Sequence, residues 1–305
     1  MTHVATLIAH PHGLGEDALI RARAALPDAA EPQWLDPGIA ADIAFSPDDA
    51  IDQRAVADEL REILSGKPID VVVQPVAHRR KKLLVADMDS TMIGQECIDE
   101  LADLVGLKAL VSGITERAMH GEIAFEPALR ERVALLKGLP VSVVDDVIES
   151  RITLMPGARL LVNTMRKHGA HACLVSGGFS LFTQNVAEQI GFDENHANTL
   201  LVEHGKLTGF VEEPILGREA KLDTLLELSR HLQLPLEKTL AVGDGANDLA
   251  MIDRAGLGVA YHAKPAVAAA AHARIDHGDL TALLYLQGYR REEFVEEFLG
   301  NTETD

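Results

Sequence analysis

The chain has 305 residues, of which 47% are apolar, enough to bury the cores of two domains or of one large one. With 47 acidic against 28 basic side chains, its formal charge is -19, which argues against a nucleic-acid partner and against binding to an anionic membrane surface. The sequence has only two cysteines, no basic N-terminal region and no apolar run of bilayer length, so it predicts no disulfide framework, signal peptide or membrane span. We therefore expect a cytoplasmic protein.

Residues 1–78 show the pattern of a small α+β unit. Alternating apolar residues and turn signals predict strands at 3–9, twice within 31–46 and at 70–76, and helices at 16–25 and 55–64. This βαββαβ order predicts a ferredoxin-like domain and resembles the ACT-type domains, which often bind amino acids through a Pro-Gly loop after the first strand. Residues 10–14 match that loop only in part, so we expect a role in dimerisation or packing and leave amino-acid sensing open.

A basic run at residues 79–82 follows, where we place the boundary with a second domain, residues 79–300. Charge runs at such boundaries are usually solvated. We therefore expect these side chains to lie in solvent, without a role in targeting or in nucleic-acid binding.

The apolar run 83–86 ends in two acids, Asp87 and Asp89, one residue apart. This pattern predicts a buried parallel strand whose carboxyl end presents both carboxylates to a crevice. Because alternate side chains of an extended chain point to opposite sides, one acid can bind a cation and attack an electrophile while the other handles protons. A lone Asp-x-Asp is more often a helix cap or a solvated turn, so the functional interpretation depends on later segments.

Residues 96–154 are helical by period and rich in helix formers. They separate the strand that precedes Asp87 from the next apolar run, so we expect a helical cap over the ends of the core strands. Such a cap excludes water from a reacting group and opens to release product.

Three later segments add polar groups that suit a phosphate and a metal ion. Ser176 and Gly177 follow an apolar run, and glycines there let backbone N–H groups approach an anion. Asp244 and Asp248 follow another apolar run and resemble a Mg²⁺ site. Lys221 lies between these segments in a predicted helix, where it could neutralise a phosphate and keep Asp87 ionised.

Taken in chain order, these segments resemble the four motifs of the haloacid dehalogenase superfamily: Asp87-x-Asp89-x-Thr91, Ser176, Lys221 and Gly243-Asp244-Gly245-x-x-Asp248. The resemblance covers about residues 82–290 and implies an α/β fold, with a Rossmann-like parallel sheet and the helical cap inserted after the first core strand. It also implies Mg²⁺-dependent phosphoryl transfer through an aspartyl-phosphate. Asp89, as an acid for a leaving oxygen, favours phosphate esters over dehalogenation.

The resemblance implies a role for each motif residue. Asp87 is the nucleophile, and Asp89 is the general acid and base. Mg²⁺ is held by the Asp87 carboxylate, the Asp89 backbone carbonyl and Asp244. The other implied roles are phosphoryl binding by Ser176, Gly177 and Lys221, contact with substrate or phosphate by Asn247, and ordering of the metal's waters by Asp248.

Two residues between the first and second motifs narrow the resemblance to the phosphoserine phosphatase family. Glu96 and Arg132 match positions that, in that family, grip the ammonium and the carboxylate of the substrate. Without the motifs, Glu96 would be interpreted as a helix N-terminal acid and Arg132 as an exposed partner of neighbouring acids. Met119 and Phe125 match positions that pack over the substrate, although both suit a core equally well.

The implied activity is hydrolysis of O-phosphoserine to serine and phosphate, the last step of serine biosynthesis. One alternative is a phosphotransferase that passes the phosphoryl group to another hydroxyl, such as that of homoserine, because Glu96 and Arg132 suit either acceptor. A second is a regulatory protein that senses an amino acid through residues 1–78. The oligomeric state stays open, with a homodimer as one option, as does the preference between phospho-L-serine and its enantiomer.

Overall fold

The computed structural model describes residues 1–9, 13–47, 49–119 and 122–296. The N-terminal unit is an antiparallel sheet in the order β2-β3-β1-β4 with two helices. Its elements are β1 (His3–Ala9), α1 (Glu16–Ala25), β2 (Gln33–Asp36), β3 (Ala40–Phe45), α2 (Gln53–Ile63) and β4 (Ile69–Pro75). The predicted βαββαβ order is confirmed, while the likeness to ACT-type domains stays a prediction. Residues 10–12 of the partial loop match lie outside the described residues.

Both faces of this N-terminal sheet are covered, which explains why β1, β3 and β4 are mostly apolar. On one face, Leu7, Ile43 and Val71 pack against α1 and α2. On the other face, Ile8 and Val72 belong to the core of the larger domain. The N-terminal unit therefore shares a core with the rest of the protein.

The larger domain alternates strands and helices around a parallel sheet. Its elements are β5 (Leu83–Ala86), α3 (Cys97–Leu104), α4 (Lys108–Met119), α5 (Phe125–Ala134), α6 (Ser142–Ser150), α7 (Ala158–Lys167), β6 (His171–Phe179), α8 (Ser180–Ile190), β7 (Glu194–Asn198), β8 (Leu200–Glu203), β9 (Lys206–Val211), α9 (Arg218–His231), β10 (Thr239–Gly243), α10 (Leu249–Arg254), β11 (Leu257–Tyr261), α11 (Pro265–Ala270), β12 (Ala273–Ile275) and α12 (Ala282–Leu286). Within the described part of the chain, no helix is both long and apolar enough to cross a bilayer.

The six-stranded core sheet has the order β12-β11-β10-β5-β6-β7, and all its pairs are parallel, which confirms the Rossmann-like core. Side chains of β5 alternate between two apolar clusters, with Leu84 in one and Leu83 in the other. The chain runs from β5 outward through β6 and β7, then returns to β10 on the other side of β5. Such a reversal leaves a crevice at the carboxyl ends of the strands. The crevice therefore lies beside the ends of β5 and β10.

The helical cap consists of α3 to α6, inserted after β5 as predicted. Its two connections to the core pair with each other, since the Gly94 N–H donates to the Thr153 carbonyl oxygen at 3.0 Å. Strands β8 and β9 form an antiparallel hairpin with His204 in its turn. The Leu207 N–H donates to the Leu139 carbonyl oxygen at 2.9 Å, so the hairpin pairs with the cap, a contact that the sequence does not predict.

The expectation that the basic run 79–82 is solvated is wrong. Lys81 is 4% exposed, and its ammonium donates to the Glu237 carbonyl oxygen at 2.8 Å. The Arg79 guanidinium binds both carboxylate oxygens of Asp42 at 2.5 and 2.7 Å, and it donates to the Leu286 carbonyl oxygen at 2.7 Å. These partners are distant in sequence, so a local charge pattern does not reveal them.

Asp70 on β4 makes a second polar link between the N-terminal unit and the core. Its carboxylate accepts hydrogen bonds from three successive backbone N–H groups after β12, at 2.7 to 3.2 Å. Burial raises the pKa of Asp70, and these N–H groups oppose that rise. The Tyr285 hydroxyl on α12 also donates to Asp36 at 2.7 Å. Buried polar bonds thus join the two units, and the division at residue 78 stays a prediction.

Replacing Arg79 with alanine is expected to destabilise the protein by about 3–5 kcal/mol, because Asp42 and Thr6 lose a buried cationic partner. Urea unfolding followed by circular dichroism measures the change. Arg23→Ala is the matched control, since Arg23 pairs with Glu31 at a more exposed position and its loss should change stability little. Equal effects of the two substitutions would show that Arg79 does not hold the units together.

Candidate active site

A cavity of about 130 Å³ lies where the core strands end beneath the cap. Eight of the ten residues predicted from the sequence line it: Asp87, Asp89, Glu96, Arg132, Ser176, Gly177, Asp244 and Asn247. The other two, Lys221 and Asp248, lie next to Asp87. The structure therefore brings all ten predicted residues to one site. Phe125 also lines the cavity, whereas the side chain of Met119 lies outside the described residues.

Lys221 is a buried cation between two aspartates. It lies in the first turns of α9 and is 2% exposed. Its ammonium is 2.6 Å from Asp87 Oδ1 and 2.5 Å from Asp248 Oδ1. Burial opposes its charge, but the two carboxylates outweigh that effect and raise the pKa of Lys221. The side chain is therefore protonated in the folded protein.

The close approach of Asp248 to the end of β10 requires glycine at position 243. A Cβ atom on Gly243 would lie 2.3 Å from Asp248 Cγ, which no side chain tolerates. In the space that Gly243 leaves, Asp248 Oδ2 accepts the Gly245 N–H at 2.9 Å, while Oδ1 accepts the Lys221 ammonium. Both oxygens of Asp248 thus have protein partners.

Asp89 has different partners from Asp87, as the Asp-x-Asp spacing predicts. Its Oδ1 accepts the Cys97 N–H at the start of α3 at 3.2 Å. Its Oδ2 is 3.5 Å from the Ser176 hydroxyl, which in turn accepts the Gly178 N–H at 2.9 Å. The first acid therefore faces the buried lysine, and the second faces the cap and the serine loop.

The crowding of carboxylates at this site favours their protonated forms. Burial, followed by the charge of Asp248, raises the pKa of Asp87 well above its ordinary value, and Lys221 opposes that rise. Burial also raises the pKa of Asp89, against the hydrogen bonds from Cys97. For Asp244, burial and the charge of Asp248 raise the pKa to about 6. Additional positive charge is needed to hold these groups ionised together.

The residues present fit a hard divalent cation. Oxygens of Asp87, Asp244 and Asp248 all lie within 4.8 Å of one another, and carboxylate oxygens are the ligands that such cations prefer. Four acids line the cavity, Asp87, Asp89, Glu96 and Asp244, against the two bases Arg132 and Lys264. A divalent cation would offset this excess of negative charge. Asp87 and Asp244 are the better-placed ligands, because both oxygens of Asp248 already have partners.

Glu96 and Arg132 bring opposite charges to the cap side of the cavity. Glu96 occupies the N-cap position of α3, but its side chain makes no hydrogen bond to the helix. Its carboxylate instead accepts a hydrogen bond from the Ser90 hydroxyl at 2.8 Å. Burial, then the charge of Asp89, raises its pKa to about 7. The Arg132 guanidinium donates to Thr115 Oγ1 at 3.1 Å, and burial lowers its pKa. No carboxylate among the described residues lies within 4 Å of that guanidinium.

Two residues of the site were missed by the sequence analysis. Asn198 at the end of β7 is 2% exposed, and its amide donates to the Gly177 carbonyl oxygen at 2.9 Å while accepting the Leu216 N–H at 2.7 Å. It thereby fixes the loop that follows Ser176. Lys264 lines the cavity just after β11. Lys264 follows a buried strand, and that position is the signal that could have identified it. Asn198 ends the polar edge strand β7, so no apolar run marks it in the sequence.

Comparisons with known proteins agree with this geometry. A sequence model described as haloacid dehalogenase-like hydrolase matches residues 84–253. The phosphoserine phosphatase of Archaeoglobus fulgidus is 44% identical over 234 residues, which are 76% of this chain and 68% of that protein.

Two solved structures are similar over most of their lengths. A haloacid dehalogenase family hydrolase from Salmonella enterica serovar Typhi has a TM-score of 0.84 at 28% identity, over 93% of this chain and 98% of that one. A phospho-aspartyl intermediate analogue of phosphoserine phosphatase has a TM-score of 0.63 at 41% identity, over 68% of this chain and 98% of that one. The chain belongs to the haloacid dehalogenase-like hydrolase family.

Proposed function

We propose that this protein hydrolyses phosphoserine to serine and phosphate with Mg²⁺, through an aspartyl-phosphate on Asp87. The observation that carries the proposal is the buried contact of Asp87 with Lys221 at 2.6 Å, beside Asp244 and separate from Asp89. This arrangement gives a nucleophile, a phosphate counter-charge and an independent acid at one site. The names of the relatives support phosphoserine as the substrate.

The substrate's two ends would contact different parts of the cavity. Glu96 would bind the ammonium, and Arg132 would bind the carboxylate bidentately. The phosphoryl oxygens would be held by Ser176, Gly177 and Lys221, with Asn247 against the substrate or phosphate. A cavity of about 130 Å³ suits a small phosphoester. The absence of a near carboxylate partner for Arg132 among the described residues leaves its guanidinium available to an anionic ligand.

In the first step, Asp87 attacks phosphorus, and the bond between phosphorus and the serine oxygen breaks as the aspartyl-phosphate forms. Asp89 gives its proton to the departing serine oxygen. Burial raises the pKa of Asp89, which favours the protonated form that this step needs. In the second step, Asp89 takes a proton from the water that attacks the aspartyl-phosphate, which releases phosphate and restores Asp87.

The metal requirement follows from the same charges. Mg²⁺, held by the Asp87 carboxylate, the Asp89 backbone carbonyl and Asp244, would screen the repulsion between the nucleophile and the phosphate. Asp248 would hold Lys221 and order the waters of the metal site. Lys221 stays protonated throughout, because two buried carboxylates contact it.

The cap controls access to the reacting groups. A Cβ atom on Gly177 would lie 3.3 Å from Phe125 Cζ. Helix α5 of the cap therefore contacts the loop that follows Ser176, called the phosphate loop below. A cap this close excludes water but also blocks exchange, so it must open to admit phosphoserine and to release serine.

The cytoplasmic location and the homodimer stay predictions.

Replacing Asp87 with asparagine is expected to reduce phosphate release from phosphoserine by at least about 1,000-fold, because an amide does not form the acyl-phosphate. Phosphate release with Mg²⁺ measures the loss, and circular dichroism checks folding. Asp223→Asn on the exposed face of α9 is the matched control and should keep full activity. Substantial Mg²⁺-dependent turnover by Asp87→Asn would reject Asp87 as the nucleophile.

Replacing Arg132 with alanine is expected to lower kcat/KM for phosphoserine by about 10- to 100-fold, because a charged hydrogen bond to the substrate carboxylate is lost. Phosphoethanolamine, which has no carboxylate, should be affected far less. The matched control is Arg130→Ala, since Arg130 lies on the same helix but pairs with Glu213. Equal losses for both substrates would contradict the specificity assignment while leaving the chemistry intact.

The stabilisation of the protein by Mg²⁺ is expected to grow with pH. The pKa of Asp244 is raised from 3.8 to about 6, so without metal the folded state favours its protonated form. Protonated Asp244 therefore stabilises the metal-free fold. This stabilisation is complete below the pKa that Asp244 has in the unfolded chain, and it is lost as pH rises through about 6. Mg²⁺ needs the ionised carboxylate, so it competes poorly with protons at low pH.

The measurement is the difference in Tm between Mg²⁺ and EDTA at about pH 5 and at about pH 8. The difference should be larger at the higher pH, and Asp244→Asn should remove most of it. An equal effect of Mg²⁺ at both pH values would show that Asp244 is not a ligand.

A further inference from the structure

A second group of metal-binding side chains lies at the outer edge of the core sheet. Cys173 is on β6, and Glu194 and His196 are on the edge strand β7. The parallel register pairs Cys173 with Glu194 and Val175 with His196, so the three side chains share one face of the sheet. A sulfur, a carboxylate oxygen and a ring nitrogen from these residues all lie within 4.8 Å of one another.

The group combines a buried ligand with exposed ones. The Cys173 side chain is fully buried, whereas the His196 side chain is 43% exposed. An ion can therefore enter from solvent past His196 and reach the sulfur. In tetrahedral zinc sites the metal lies about 2.3 Å from sulfur and about 2.0 Å from nitrogen. A bound ion would replace the hydrogen bond between His196 Nε2 and Glu194 Oε2, while Glu194 Oε1 keeps its contact with His171.

Neighbouring residues hold this group in place, as is usual around metal ligands. His171 Nε2 is 2.5 Å from Glu194 Oε1, and His196 Nε2 is 3.2 Å from Glu194 Oε2. The other ring nitrogen of His171 is 3.6 Å from Asp193 Oδ2. Asp193 is itself fixed, because its carboxylate accepts the Ala172 N–H at 2.8 Å and pairs with an arginine of α7. His171 and Asp193 are thus positioning residues for Glu194.

We propose that Cys173, Glu194 and His196 bind a Zn²⁺ ion at the edge of the core sheet, separately from the catalytic cation. Thiolate and imidazole ligands select zinc and similar transition metals, whereas Mg²⁺ prefers oxygen ligands alone. As the bond between sulfur and zinc forms, the thiol proton passes to solvent. Three protein ligands leave a fourth position for water.

The ion would fasten the edge strand to the strand that carries the phosphate loop. Cys173 precedes Ser176 by three residues, or roughly 10 Å of extended chain. The pairing of β6 with β7 becomes irregular just beyond Val175, where β6 continues into the glycine loop. Zinc at this place therefore stabilises β7 against fraying and takes no part in phosphoryl transfer.

Cobalt substitution tests the proposal, because Co²⁺ bound by a thiolate absorbs in the near ultraviolet and Co²⁺ bound by oxygen ligands does not. Metal-stripped full-length protein is titrated with Co²⁺ in the presence of excess Mg²⁺. The Mg²⁺ is added to fill the catalytic site. The absorption should rise to one equivalent and then disappear when Zn²⁺ is added. Cys173→Ser should abolish the absorption, and Cys97→Ser should keep it.

His196→Ala provides the second variant, since this exposed substitution should not disturb folding, and it should weaken Co²⁺ binding by at least about tenfold. His231→Ala, an exposed histidine at the end of α9, is its matched control and should bind as the unmodified protein does. The proposal is overturned if folded wild-type protein shows no thiolate absorption. It is also overturned if the absorption depends on Cys97, or if His196→Ala binds Co²⁺ normally.

Discussion

The burial of Lys221 between Asp87 and Asp248 is the interaction on which the rest of the site depends. A charge that is 2% exposed would destabilise the fold by several kcal/mol without partners, so the lysine and the two aspartates are stable only together. Three separate segments supply them: the end of β5, the start of α9 and the loop after β10. The sheet order places the first and last of these side by side, and α9 brings the cation between them. Folding therefore assembles the charge balance that phosphoryl transfer needs.

The contact between the two units also depends on buried charges that have buried partners. Arg79 enters a buried interface only because Asp42 and two carbonyl groups of α12 receive its hydrogen bonds. Asp70 is buried because three successive N–H groups after β12 point at its carboxylate. The N-terminal sheet thus covers the core on the side of β12 and α12. None of the described residues of this unit lines the catalytic cavity, and such a position suits a packing role.

The sequence predicts which residues meet at the candidate site because each follows a buried strand or starts a helix, and such patterns are local. Asp87, Ser176, Lys221 and Asp244 all lie in elements whose type and order are confirmed. What the sequence does not predict depends on contacts between distant segments. The basic run finds its partners in segments far along the chain, and so does the hairpin that pairs with the cap. Asn198, likewise, holds a loop that belongs to another strand. Helical and strand periods carry no information about such contacts.

The division of labour between core and cap follows from where the charges are attached. The acids of the site extend from the ends of the core strands, whereas Arg132 extends from α5 of the cap. The cap is held to the core through the paired connections at Gly94 and Thr153 and through the hairpin at Leu207. Because the hairpin continues directly from β7, it limits how far the cap can swing away from the phosphate loop. Under the proposed mechanism, binding of the substrate carboxylate by Arg132 would favour the closed cap, in which Phe125 lies against Gly177 and water is kept from Asp87.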